Sequence, residues 1–196
     1  MPSLLLATTN PGKLRELRAL FPLPMLTFLD PGQAGLDLEV EETGDSYLEN
    51  ARLKSEAYFR ASGLWTAADD TGLEVEVLDG APGVRSARVA RNDAERRALL
   101  LRNLAPHPRP WVARFRCALV LTGPGPSMDY AQGDVGGEII PEERGETGFG
   151  YDSIFLVEET GKTMAELDLA TKNRISHRAR AAQRLLPILK KRLGLE

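Results

Sequence analysis

Apolar and polar positions along this chain alternate with two different periods. An apolar run at 4–7 is followed at once by leucines at helical spacing over 14–20, which predicts a strand that feeds directly into a helix. Asn10 suits the N-cap of that helix, and Pro11 suits its first position because a missing N–H costs nothing there. The pattern therefore predicts strand, tight loop and helix at the start of the chain.

The rest of the chain continues to mix the two periods. Ser46 and Glu49 form a capping-box pattern that predicts a helix over 46–61. The other predicted elements are a short strand at 24–30, an acidic loop at 31–45, strand–acidic bend–strand–turn over 63–83, a helix at 92–104 capped by Asn92 or Asp93, a strand at 110–123 and a glycine-rich strand or pair of strands at 128–140. A polar loop then leads to the segment at 148–159, and a helical C-terminus follows with a further capping-box pattern at 163–166. This alternation predicts an α/β fold with a twisted mixed sheet flanked by helices.

Composition narrows the class of protein. The 196 residues are 42% hydrophobic and 27% charged, as is typical of one soluble domain of generous size. The single cysteine, Cys117, excludes an intramolecular disulfide and favours a reducing compartment. The start resembles no signal peptide, and no apolar run approaches the ~20 residues of a membrane helix. A net charge of −3 argues against a general nucleic-acid binder. We therefore expect a cytoplasmic protein with no membrane or nucleic-acid partner.

Lys13 is the first candidate for chemistry. It lies in the first turn of the predicted helix, where the helix dipole already presents positive charge and a cation is unfavourable by ~0.3–1 kcal/mol. A strand that feeds a helix N-terminus is a natural phosphate site. Either the lysine extends into water, or an anion binds there.

Asp69 and Asp70 are the second candidate. Two adjacent carboxylates at a predicted bend repel each other unless a cation or water relieves them, and Mg²⁺ is the natural hard partner. An aspartate without a metal could also activate a water. Solvated acids in an Asx-turn are the alternative.

Two further stretches complete the set. The sequence FGYD at 149–152 offers aromatic rings for stacking and a carboxylate for a ring N–H, although the same pattern fits aromatic residues entering a core strand. The basic stretch at 171–181 cannot face one ligand if it is a single continuous helix. If the helix instead starts near Ser176, its first turn holds His177 and Arg178, and Lys172 lies in the preceding loop. A solvated basic helix face is the alternative. Taken together, the four signals describe a nucleoside triphosphate site with Mg²⁺.

The same stretches resemble a known family. LLLATTNPGKLREL, EETGDSYLENARLKSEA, ADDTGLEVEVLDGAPGVRSAR, GFGYDSIF and ISHRARA are similar, in this order, to the inosine/xanthosine triphosphate pyrophosphatases. The resemblance covers the chain nearly end to end. It implies Mg²⁺-dependent hydrolysis of ITP, dITP or XTP to the monophosphate and pyrophosphate. It also implies a homodimer and an elongated single domain over 1–196, whose two lobes flank a central substrate cleft.

The resemblance also implies roles for individual residues. Asp70 matches the water-activating base, and Glu42 and Asp70 match the metal ligands. The role of Asp69 is less clear; support of the metal through water is one reading. The residues that would bind substrate are Thr8, Thr9, Asn10, Pro11, Gly12 and Lys13 in the phosphate loop, Lys54 and Lys172 at the phosphates, Thr71, and Phe149, Gly150, Tyr151, Asp152, His177 and Arg178 at the base.

Three positions depart from the family pattern. Thr9 stands where glycine is common, Thr71 replaces a serine but keeps the hydroxyl, and Ser153 replaces a common proline. We expect the first to tighten the approach of the triphosphate and the last to leave the base-binding strand less rigid.

Three competing functions are weighed against this one. A Maf-like nucleotide pyrophosphatase acting on pyrimidine or modified nucleotides usually carries a Ser-Pro-Arg-Arg-type opening loop in place of TNPGK. A nucleotide-binding module without catalysis would have no need of the paired acids. A nucleic-acid binder is disfavoured by the slightly acidic charge balance.

Overall fold

The structure is a computed structural model, and it describes residues 2–125 and 128–195. Five α-helices and eight strands lie in this part of the chain. In chain order they are β1 (Ser3–Leu6), α1 (Pro11–Leu20), β2 (Thr27–Leu29), α2 (Tyr47–Ser62), β3 (Trp65–Val75), β4 (Pro82–Gly83), α3 (Asp93–Leu104), β5 (Trp111–Thr122), β6 (Asp129–Ile139), β7 (Phe155–Val157), β8 (Lys162–Thr163), α4 (Leu169–Ile175) and α5 (His177–Leu193).

The strands form one mixed sheet, as predicted. Its order is β2-β1-β3-β5-β6-β7-β8, and β4 pairs with β3. Strand β1 is parallel to both β2 and β3, whereas β3–β4, β6–β7 and β7–β8 are antiparallel. The α/β class and the twisted mixed sheet flanked by helices are confirmed.

The chain divides into two compact units. Unit 1 comprises 1–70, 117–133 and 178–196, and unit 2 comprises 71–116 and 134–177. The single two-lobed domain with a central cleft stays a prediction.

The core of unit 1 follows from the period-2 pattern of β1. Leu4 and Leu6 pack into one cluster with Leu17 of α1 and Leu185 of α5, and Leu5 packs into another cluster on the opposite face. Successive side chains of a strand point to opposite faces, so a strand covered on both sides reads as a continuous apolar run. This explains why residues 4–7 show no alternation. Cys117 is buried in the first cluster, as expected of a core residue.

The core of unit 2 is a separate cluster. It combines Leu73 and Val75 of β3, Leu104 of α3, and Phe155 of β7. The predicted helix α3 is confirmed with Asn92 as its N-cap, whose side chain accepts from the Glu95 N–H at 2.9 Å.

The predicted bend at the two aspartates is wrong. Strand β3 runs without interruption from Trp65 to Val75, through Asp69, Asp70 and Gly72. The sequence suggested a break because charge and glycine both disfavour strand interiors. Here the carboxylates find cationic partners inside the fold, so the strand continues.

The C-terminal helices differ from the expectation in two respects. Helix α5 begins at His177, as predicted for a start near Ser176, but Lys172 lies on the separate helix α4 and not in a loop. Asp168 caps α4 by accepting from the Thr171 N–H at 2.7 Å. Pro187 lies inside α5 without ending it. No helix in the described ranges is long and apolar enough to cross a membrane.

Candidate active site

In unit 1, the start of α1 has the predicted geometry. The Asn10 side chain accepts from the Lys13 N–H at 3.1 Å, and Thr8 Oγ1 accepts from the Asn10 N–H at 3.2 Å. Gly12 is buried, whereas Thr9 and Pro11 are exposed. The Lys13 ammonium lies 3.1 Å from Asp69 Oδ2. Asp69 therefore supplies part of the negative charge that the cationic start of this helix attracts.

The two aspartates of β3 point to opposite faces of the sheet. Asp69 contacts Lys13 and Arg178, whereas Asp70 contacts Asn50 and lies near Lys54. Adjacent residues of a strand must alternate in this way. The expected mutual repulsion of the pair is therefore relieved by separation, with a different set of cations on each side.

Asp69 belongs to a buried charge cluster with Arg178 and Glu16. Arg178 donates from Nε and Nη2 to Asp69 Oδ2 at 3.1 and 3.0 Å, and from Nη1 to Glu16. Burial opposes ionisation of Asp69, but Lys13 and Arg178 outweigh it and hold the pKa of that carboxyl below its usual range. Arg178, 1% exposed, thus joins α5 to α1 and β3. Its predicted contact with the base stays a prediction.

Asp70 lies in a second cluster, with α2. Asn50 Nδ2 donates to Asp70 Oδ2 at 3.2 Å. One turn further along α2, Lys54 Nζ lies 2.7 Å from Glu42 Oε1 and 3.9 Å from Asp70 Oδ1, and it donates to the Asp69 carbonyl at 2.6 Å. The structure thus brings together Asp70, predicted as both base and metal ligand, Glu42, the other predicted metal ligand, and Lys54, a predicted phosphate-binding residue.

Electrostatics distinguish the two carboxyl groups of β3. Burial raises the pKa of Asp70, Glu42 adds to the effect, and Lys54 and Lys13 oppose it incompletely. Burial also lowers the pKa of Lys13, with Asp69 opposing. A carboxyl group whose ionised form is disfavoured has greater affinity for a proton, as a general base requires.

A divalent cation fits the Asp70 side of the strand. One cationic group, the Lys54 ammonium, already lies within 4 Å of both Glu42 and Asp70. Over residues 2–125 and 128–195, no three His, Cys, Asp or Glu side chains are grouped to hold a metal. Two carboxylates without a third protein ligand suit Mg²⁺, which commonly completes its shell with phosphate oxygens and waters.

In unit 2, the loop at 148–152 folds around the Asp152 carboxylate. Asp152 Oδ2 accepts from the Phe149 N–H at 3.0 Å and from the Lys172 ammonium at 2.7 Å. Gly148 has φ +87°, and a Cβ there would lie 2.1 Å from Asp152 Oδ2. Glycine is therefore required for this close approach. Phe149 is half-buried, with the Lys172 ammonium 5.5 Å from its ring centroid.

The other predicted substrate-binding residues of unit 2 differ in exposure. Tyr151 is buried in the core, and its hydroxyl donates to the Ser86 carbonyl at 3.0 Å. His177 is buried and stacks on Phe115, with ring centroids 4.9 Å apart. Thr71 is half-buried on β3. Among Phe149, Tyr151 and His177, Phe149 is thus the most accessible ring. The substrate-binding role of these three residues and of Thr71 stays a prediction.

Comparison with known proteins settles the family. The profile of the Ham1 family matches residues 4–188, nearly the whole chain. The chain belongs to the Ham1 family. The resemblance to inosine/xanthosine triphosphate pyrophosphatases is confirmed by curated relatives that carry the name dITP/XTP pyrophosphatase.

Several relatives of this Ham1 protein are similar over their full length. A dITP/XTP pyrophosphatase of Gloeobacter violaceus is 48% identical over 186 residues, which cover 95% of this chain and 93% of the relative. A Ham1 protein structure from Coxiella burnetii has a TM-score of 0.87 at 36% identity, covering 97% of this chain and 100% of the other. The Staphylococcus aureus Ham1 structure has a TM-score of 0.85 at 38% identity, covering 97% and 99%.

Four side chains that contact predicted site residues were not found from the sequence. Asn50 and Glu16 hold Asp70 and Arg178, and Asp93 and Arg97 contact Gly150. Two of them left a local signal. Asn50 lies four residues before Lys54, on the same helix face, and Glu16 lies between the buried positions of α1. The contacts of Asp93 and Arg97 are more than fifty residues away along the chain, and no local pattern predicts them.

Proposed function

We propose that this protein hydrolyses ITP, dITP and XTP to the monophosphate and pyrophosphate, and so removes these nucleotides from the pool before they enter DNA or RNA. The observation that carries the proposal is the cluster around Asp69 and Asp70 of β3, where Lys13, at the start of α1, lies beside Asp69 and Lys54 of α2 lies near Asp70. The names of the relatives support the same substrate class.

The lysines and the helix N-terminus are proposed to bind the triphosphate. Hydrolysis of a phosphoanhydride mostly requires a positioned water and neutralisation of charge. Lys13 and the positive end of the α1 dipole supply fixed positive charge, and Lys54 supplies a second cation on the Asp70 side. Lys172, which the resemblance places at the phosphates, is held by Asp152 in this structure, so its release to substrate is part of the proposal.

Asp70 is proposed as the base that accepts a proton from the attacking water. Its pKa is raised, chiefly by burial, and Asn50 fixes one of its oxygens. Glu42 and Asp70 would hold Mg²⁺, which when bound neutralises phosphate charge and stabilises the leaving pyrophosphate. Attack at the α-phosphorus separates the monophosphate from pyrophosphate.

The loop at 149–152, with His177 and Arg178, is proposed to select the base. Hypoxanthine and xanthine carry a 6-oxo acceptor where adenine carries an amino donor. A site that donates to O6 leaves two donors facing each other when adenine binds, and buried polar groups penalise such a mismatch heavily. We therefore expect poor turnover of ATP.

The proposal includes a homodimer in the cytoplasm. The homodimer follows from the family resemblance, and the cytoplasmic location from the composition of the chain. Sedimentation equilibrium of the purified protein tests the dimer, since a single species of twice the 21.5 kDa chain mass is expected.

Steady-state hydrolysis of ITP, XTP, GTP, ATP, dTTP and UTP, with Mg²⁺ and with EDTA, tests the function. We expect Mg²⁺-dependent conversion of ITP and XTP to monophosphate and pyrophosphate, identified by chromatography, with little turnover of ATP. Equal turnover of ATP and ITP would contradict the base assignment. Preference for a pyrimidine would favour a Maf-like activity, and absence of hydrolysis would leave a binding module.

A further inference from the structure

Both backbone polar groups of Gly150, its N–H and its carbonyl, are held by one helix. Asp93 Oδ2 accepts from the Gly150 N–H at 2.7 Å, and Arg97 Nη1 donates to the Gly150 carbonyl at 2.9 Å. The two side chains lie four residues apart on α3, so they project from the same helix face. Helix α3 therefore holds the two successive peptide groups that flank the Gly150 Cα.

Glu143 links Arg97 of α3 to Ser153, which follows the loop at 149–152. The Arg97 Nε lies 2.9 Å from Glu143 Oε1, and the Ser153 hydroxyl donates to Glu143 Oε2 at 3.1 Å. The Arg97 guanidinium beside Glu143 lowers the pKa of that carboxyl, so it is ionised at neutral pH. Ser153 stands where a proline is common in the family, and its hydroxyl provides a tie that proline lacks. Residues 150–153 are thus attached to α3 directly at the two backbone groups of Gly150 and indirectly at Ser153, through Glu143.

Steric constraints do not explain this arrangement. Gly150 has φ +65°, but a Cβ at this position would have no neighbour within 4 Å. The backbone at Gly150 is instead held by hydrogen bonds to charged groups, which are among the stronger ones in proteins. Removal of either charged group loosens this part of the loop.

We propose that Asp93 and Arg97 are positioning residues that determine base selectivity, by fixing the backbone at Gly150 inside the loop that binds the base. The inference rests on the proposed function, because it takes residues 149–152 as the base-binding loop. Neither side chain touches the reacting phosphates in this assignment. Their loss therefore weakens the hold on the base and leaves the hold on the triphosphate unchanged.

Arg97→Met tests the inference, with Arg102→Met as its control. Methionine keeps most of the apolar stem of Arg97 but removes its donors, and Arg102 is an exposed arginine near the end of the same helix. A hydrogen bond to a charged group stabilises by ~1.5–3 kcal/mol, so we expect the KM for ITP to rise roughly tenfold or more in Arg97→Met with little change in kcat. The selectivity for ITP over ATP, as a ratio of kcat/KM values, falls by a similar factor.

Inorganic tripolyphosphate distinguishes a loop effect from general damage. It carries the triphosphate charge without a base, and its inhibition constant should stay within twofold of the native value in Arg97→Met. An unchanged KM and selectivity would overturn the inference. So would an equal weakening of ITP and tripolyphosphate, since that pattern indicates a structural role only.

A second pair of variants keeps the test independent of Arg97. Asp93→Ala removes the acceptor of the Gly150 N–H, whereas Asp93→Asn keeps an oxygen acceptor at the same place. We expect the KM for ITP to rise in the first and to be largely restored in the second. Equal behaviour of the two would contradict the assignment. If the native protein itself fails to prefer ITP, the proposed function fails, and this is seen before any variant is measured.

Discussion

At the scale of single residues, the site depends on two neighbouring carboxylates in opposite environments. Asp69 accepts from Arg178 and pairs with Lys13, and its pKa is held low. Asp70, on the other face of β3, receives one amide hydrogen bond and has a raised pKa, because burial outweighs the nearby lysines. The strand thus provides one permanently ionised group that orients cations and one group with appreciable proton affinity.

Asp70→Asn should abolish turnover without weakening the fold. A general base contributes ~10²–10⁴-fold to a rate, so we expect kcat for ITP to fall by at least that lower factor. The raised pKa of Asp70 means that the folded protein disfavours its ionised form, so a neutral amide should leave the thermal midpoint unchanged or higher. Hydrolysis assays and melting curves measure the two effects.

Asp79→Asn is the matched control for this change. Asp79 is exposed and has φ +51°, a conformation that asparagine also tolerates. The Asp79→Asn variant should hydrolyse ITP as fast as the native protein. If Asp70→Asn kept activity within a few-fold of the native value, Asp70 would not be the base.

At the scale of elements, the loop at 148–152 is built by contacts that only certain residues permit. Gly148 allows the close approach of Asp152, and Tyr151 anchors the loop in the core of unit 2 through its bond to Ser86. Asp152 in turn holds Lys172. The loop is therefore a packed element, and two predictions test its supports.

Gly148→Ala should damage this loop far more than Gly161→Ala. Both glycines have positive φ, so both substitutions carry a backbone penalty of roughly 1–2 kcal/mol. Only at 148 would the new Cβ also meet a carboxylate oxygen, at 2.1 Å, whereas nothing lies within 4 Å at 161. We expect a raised KM for ITP and a larger loss of thermal midpoint in Gly148→Ala. Similar values for the two variants would show that the contact with Asp152 is unimportant.

Tyr151 should make the protein sensitive to alkaline pH. Burial raises the pKa of Tyr151 to about 12, Asp93 adds to the effect, and Arg96 opposes it. The unfolded chain releases this proton near pH 10, whereas the folded chain retains it until about pH 12. The free energy of unfolding therefore falls as pH rises through this window, because the unfolded state then binds fewer protons than the folded state.

Tyr151→Phe removes that contribution and provides the measurement. The native protein should lose stability between pH 10 and 12 relative to Tyr151→Phe, as measured by urea unfolding at each pH. Tyr130→Phe, at an exposed tyrosine, should lose stability in the same way as the native protein. A constant difference between native and Tyr151→Phe across this range would disprove the shifted titration.

At the scale of the whole molecule, features that depend on neighbouring residues could be predicted from the sequence. Features that depend on contacts between residues far apart along the chain could not. The caps at Asn10, Ser46 and Asn92 were identified from the sequence because each depends on residues within one helical turn. The continuous course of β3 was not, because Asp69 is stabilised by Arg178, which lies 109 residues away. The family resemblance identified candidate residues of the site, but not Asn50 or Glu16, which hold those residues in place.

Metal binding provides the last test, since it links the site to the stability of the protein. A ligand that binds only the folded state raises the free energy of unfolding by RT ln(1 + [L]/Kd), or ~2.7 kcal/mol at a hundredfold excess over Kd. We expect Mg²⁺ to raise the thermal midpoint of the native protein and EDTA to reverse the rise. Glu42→Gln should lose most of this response, because one of the two carboxylates near Lys54 is then neutral. Glu41→Gln, at the exposed neighbour, should retain it. Equal responses of the two variants would show that Glu42 is not a metal ligand. If the native protein responds to Mg²⁺ only when ITP is present, the triphosphate oxygens complete the metal site.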